Sequence, residues 1–156
     1  MKQTTFSTAG FDRYAKITRR AAFLAEMEAV VPWSELCELI EPFYPKAAAG
    51  RRPFGMERML RIYCLQQWFN LSDPAAEEAL YVPLSMRRFV GIDLGREPVP
   101  NETTICRFRH LLERHDFGKR MFERVHEYLE AKGLRPSSGT IVDATIIHAP
   151  SSTKNE

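Results

Sequence analysis

Thr103, Arg107, His110 and Arg114 recur at intervals of three and four residues, so a helix through them carries all four on one stripe. An arginine fork matches a guanine edge or a phosphate, a hydroxyl near a helix start reaches a phosphate, and further base toward the end adds backbone contacts. That is the chemistry of a helix that reads DNA. An ordinary solvated helix face carries the same residue types, so the stripe alone leaves both readings open. Three further clusters, Arg51 with Arg52, Arg58 with Arg61, and Arg87 with Arg88, suit phosphate contacts. Pairing with nearby Glu57, Glu77 and Glu78 is the alternative for each. Asp143 poses a different problem. It sits in TIVDATII, a β-branched run in which Ile141, Asp143, Thr145 and Ile147 share one strand face. A buried, unpaired carboxylate costs on the order of several kcal/mol, and a cation over it removes that cost. Asp143 could therefore supply one oxygen ligand to Mg²⁺ or Mn²⁺, but no second carboxylate has a comparable strand setting, and His148 falls on the opposite face. A solvent-facing strand-end acid is the other reading.

The elements that must hold these residues are mostly helical. Residues 11–30 are charged early and apolar late, and 33–41 form a short amphipathic helix that Pro42 and Pro45 end. Residues 44–54 read as a linker. The helix over 55–70 is apolar on most sides, which marks a central, buried position. Ser72 or Asp73 caps the next helix, over 70–81, with Pro74 in its first turn. A turn at Val82-Pro83, a short helix LSMRRFVGI, a Gly/Pro loop over 91–100 and a helix over 101–115 capped by Asn101 follow. The cadence of 72–115 is that of helix-turn-helix DNA readers, with the third helix entering the groove. Residues 116–132 form an amphipathic helix with Phe117, Met121, Phe122, Val125, Tyr128 and Leu129 on its stripe and Gly133 as its stop. The strand around Asp143 comes last and has no partner strand upstream.

Composition narrows the class. The chain has 156 residues, 44% of them hydrophobic and 27% charged, with a net charge of +2. No apolar run approaches the ~20 residues of a membrane helix, and the start lacks an apolar signal core. Cys37, Cys64 and Cys106 match no zinc spacing, and reduced thiols are expected. A cytosolic chain without a resident cofactor is the simplest expectation. The 16 Arg against 6 Lys supply planar, phosphate-matching cations, although a GC-rich genome gives the same bias.

Three blocks carry a resemblance. MERMLRIYCLQQWFNLSDPAAEEALYVPLSMRRFVGI (56–92) looks like the N-terminal domain of bacterial insertion-sequence transposases of family five. VPNETTICRFRHLLERH (99–115) resembles that family's P-[DN]-E-T-T-I-x-x-F-R segment. GTIVDATIIHAPSSTKN (139–155) resembles the segment bearing the first acid of its DDE triad. The resemblance implies a mainly α chain. A helix-turn-helix-like DNA-binding domain would cover 1–135, and 136–156 would be the first β-strand of an otherwise missing RNase-H-like catalytic domain. Asp143 would be the first catalytic, metal-binding acid. Full-length relatives would use Mg²⁺ or Mn²⁺, and this chain alone would hold no metal stably and neither cleave nor transfer strands. Its partner would be double-stranded DNA at the element's terminal inverted repeats, bound through Arg51, Arg52, Arg87, Arg88, Thr103, Arg107, His110 and Arg114. A homodimer, or a mixed oligomer with full-length transposase, is a further expectation, as is a cytoplasmic, nucleoid-associated location. The runner-up reading is a protein–protein module using 21–43 and the stripe of 116–132.

Overall fold

Thr18 starts the first helix: its hydroxyl accepts a hydrogen bond from the Ala21 amide at 3.2 Å, so α1 runs Arg19–Val30. The computed structural model describes residues 16–46 and 52–134. The helix expected over 11–30 therefore begins later, because the cap residue itself is extended. Pro32 separates α1 from α2, Trp33–Ile40, whose Trp33, Leu36 and Ile40 line its buried face. The chain then tightens into one 3-10 turn, Glu41–Phe43. Pro42 sits at its start, where a missing amide hydrogen costs nothing.

The central helix is α3, Met56–Phe69, with Met59, Leu60, Ile62 and Leu65 all buried. It packs against α2 and against the three helices that follow: α4 (Asp73–Tyr81), α5 (Leu84–Val90) and α6 (Glu102–Arg114). The near-continuous apolar surface read from the sequence has this cause. Asn70 ends α3 in a left-handed conformation, φ 51°, with the Leu71 amide reaching back to the Gln66 carbonyl. Ser72 caps α4 through the Ala75 amide, and Asn101 caps α6 through the Thr104 amide at 3.0 Å. The last helix, α7 (Phe117–Ala131), packs on α2 and α6. Gly133, φ 73°, stops it, with the Leu134 amide bonded to the Leu129 carbonyl. Phe117 and Met121 enter the core, but Phe122, expected on the same stripe, is 61% exposed and stacks on His126. The α7 stripe is thus narrower than its sequence suggests.

The described residues are mainly helical and contain no strand. The strand expected around Asp143, and its boundary at 136, lie outside them. No described helix is long and apolar enough to cross a membrane.

Two arginines hold the bundle from within. Arg61 is buried and donates to Glu28 of α1 (2.8 Å, with a second, shorter bond), to Glu57 (2.7 and 2.9 Å) and to the Phe89 carbonyl of α5 (2.8 Å). Its guanidinium also lies 4.5 Å from the Trp33 ring centre and 5.1 Å from that of Phe89. Burial pushes its pKa down, but its hydrogen bonds to Glu28 and Glu57 and their charges outweigh burial and raise it, so the charge is secure. Arg109 of α6 clamps Asp73 of α4 at 2.9 and 3.2 Å, and Gln66 of α3 donates to the same carboxylate at 2.8 Å.

Candidate nucleic-acid interface

Helix α6 buries Ile105, Phe108 and Leu112 against α3 and α4. That fixes its rotation and leaves Thr103, Arg107, His110 and Arg114 exposed on the outer side. Asn101 orients the helix start, and Glu77 of α4 accepts a hydrogen bond from the Glu102 amide at 2.7 Å. Thr104 is spent on the cap, since its hydroxyl donates to Asn101 Oδ1 at 2.6 Å, whereas the Thr103 hydroxyl faces solvent.

The three arginines of α6 divide by role. Arg109 is bound by Asp73 and by Glu113 at 2.7 Å, and these hydrogen bonds raise its pKa. Arg107 and Arg114 have no acid partner among the described residues. A guanidinium held at the surface without an acid is free to take a phosphate or a base edge.

Arg52 joins this helix in space. It lines a groove of about 500 Å³ together with Thr103, Arg107, Tyr44 and Phe54. Tyr44 closes the two ends of the connecting segment by donating to the Phe54 carbonyl at 2.6 Å. Burial pushes its phenol up to about 12, which keeps that donor protonated. The linker read from the sequence thus carries a base to the N-terminal half of α6.

The other expected site residues lie elsewhere. Arg87 is half-buried and donates to the Tyr81 carbonyl at 3.0 Å, where it caps the end of α4. Arg88 is exposed on α5 and lines a different groove from the α6 stripe. Arg58 pairs with Glu97, and Arg61 is the interior pin described above, so this cluster follows the acid-pairing alternative. Arg51, Asp143 and His148 lie outside the described residues. Among the described residues no three His, Cys, Asp or Glu side chains converge as a metal site would require.

The sequence reading missed Arg109 and Asp73 as a pair. Their separation of 36 residues carries no periodic signal, although an arginine beside an apolar stripe rather than opposite it was a legible hint. Burial raises the thiols of Cys37 and Cys64, to about 11 and about 12, so both are held as inert thiols.

A family model described as Transposase domain (DUF772) matches residues 11–111, and the chain belongs to that transposase-domain family. The match spans α1 through most of α6, including the interior pin, the Asp73–Arg109 clamp and Thr103, Arg107 and His110 of the exposed stripe, but not Arg114. No solved structure matches the chain.

Proposed function

We propose that this chain binds double-stranded DNA in transposition, recognising the terminal inverted repeats of an insertion sequence through α6. The observation that carries this reading is the division of labour on that helix. Arg109 is committed to Asp73 and Glu113, while Arg107 and Arg114 stand exposed without acids, with Arg52 beside Arg107. In this reading α4, the turn at 82–83, α5 and α6 act as a helix-turn-helix-like unit. Arg107 and His110 face base edges, and Thr103, Arg52 and Arg114 face phosphates. Arg107→Ala should lower affinity for the repeat about 10-fold or more, because a good base contact is worth about 1–3 kcal/mol. It should narrow the preference for the repeat over a scrambled duplex. An unchanged preference would remove Arg107 from the reading.

The finer family assignment, to family-five elements with a DDE catalytic centre, belongs to the same proposal. Asp143 would be that centre's first acid and would give one oxygen ligand to Mg²⁺ or Mn²⁺. The described residues supply no companion ligands, and no chemical step is derived through the metal. Asp143→Asn is expected to leave duplex affinity unchanged, and the chain is expected not to nick DNA in Mg²⁺ or Mn²⁺. Metal-dependent nicking by the parent chain that vanishes in Asp143→Asn would overturn this.

The protein–protein reading, which uses 21–43 and the stripe of 116–132, has a mixed surface to work with. Leu24, Trp33, Leu36 and Ile40 are buried within the chain, whereas Phe43 is 41% exposed and Phe122 of the later stripe 61% exposed.

A further inference from the structure

A second basic groove, of about 1720 Å³, runs between α1, the start of α3, and α5. Lys16, Arg19, Arg20 and Arg88 line it, all four exposed. Arg20 rests over the Phe69 ring at 5.5 Å, and none of the four has an acid partner among the described residues. The groove does contain acids, Glu28 and Glu57, both half-exposed and both bonded to Arg61, so these three groups leave one negative charge against the four exposed bases. Two helix N-termini add to the field. The first turns of α1 and α3 both line the groove, and Gly55 at the head of α3 offers no side-chain cap to the amides behind it. Surface cations without acids, together with converging helix N-termini, make a site for a polyanion.

We propose that this groove is a second DNA contact, which holds the phosphodiester backbone of a duplex without reading its sequence. Residues 52–54 line the α6 groove and residues 55–58 line this one, so the two grooves flank a single short segment. Arg88, which the sequence groups with Arg87 and the α6 stripe, belongs to this second contact. The occupant is nucleic acid rather than an acidic protein, because the groove offers forked guanidinium groups beside the uncapped amides at the head of α3, and because the chain belongs to a transposase-domain family.

The test is the salt dependence of binding of the full chain to a labelled scrambled duplex. Each phosphate neutralised adds about 0.9 to the slope of log affinity against log salt. The double variant Arg19→Ala/Arg88→Ala should therefore flatten the slope by about 1.8, and Arg19→Lys/Arg88→Lys should restore most of it. Affinities for the scrambled duplex and for the inverted repeat should fall by the same factor, with the ratio between them unchanged. A slope equal to that of the parent chain would overturn the proposal even if α6 reads the repeat. A changed ratio with an unchanged slope would also overturn it, as would a parent chain that binds neither duplex. An Arg107→Ala variant without effect on the ratio would overturn the α6 reading alone and leave this groove standing. Both altered arginines are exposed and neither side chain makes a hydrogen bond or ion pair among the described residues, so unchanged helical content and melting temperature are expected of each variant.

Discussion

Arg61 shows how much one side chain can hold. It spends its donors on Glu28, Glu57 and the Phe89 carbonyl and stacks beside Trp33, so α1, α2, α3 and α5 meet at one guanidinium. Removing the arginine would leave two half-exposed carboxylates near each other and take the donor from the Phe89 carbonyl. Breaking a buried ion pair from one side costs about 3–5 kcal/mol, and less where, as here, the acids left behind are half-exposed. Arg61→Ala should therefore lose about 2 kcal/mol or more in urea unfolding, while an exposed arginine such as Arg114→Ala should change stability by less than about 0.5 kcal/mol. A loss under about 1 kcal/mol for Arg61→Ala would mean that the pin is incidental to the fold.

At the scale of elements, the Asp73–Arg109 clamp decides how α6 is presented. The hydrogen bond from Arg109 comes first in holding the Asp73 carboxyl down, to about 2 from an ordinary 3.8; partial burial opposes it, and Gln66 helps. A carboxyl depressed in the folded state stabilises fully above its ordinary pKa, and that stability is lost as pH falls through the folded value. Urea midpoints should thus decline from about pH 4 toward about pH 2, and Asp73→Asn should flatten that decline. Parallel pH profiles for the two proteins would show the clamp to be energetically idle. The clamp was also the least legible part of the sequence. Caps at Ser72 and Asn101, the stop at Gly133 and the all-round apolar helix 56–69 are local patterns, and each is where its residues said it would be. Arg61–Glu28 and Arg109–Asp73 join residues 33 and 36 apart, and such pairs exist only once the helices have packed. Phe122 misled for the opposite reason: it fits the period of α7, but α2 and α6 cover only part of that stripe. Thr18 went unremarked because the charged residues before it continue a helical rhythm that its own extended backbone breaks.

Across the whole molecule, charge is sorted more than it is abundant. A net charge of +2 conceals bases that fall into two sets. Arg61, Arg109 and Arg58 are paired with acids and hold helices together, whereas Arg107, Arg52, Arg19 and Arg88 stand along two grooves, and Arg114 on the exposed side of α6, without such partners among the described residues. That division gives a small, nearly neutral transposase-domain protein two positive faces on a rigid helical frame. The most direct measurement is fluorescence anisotropy of the purified chain on a labelled terminal inverted repeat and on a scrambled duplex, across a salt series. Tighter binding to the repeat that persists near physiological salt is the predicted result. Equal, steeply salt-sensitive affinity for the two duplexes, or no binding to either by the folded protein, would contradict end recognition by α6.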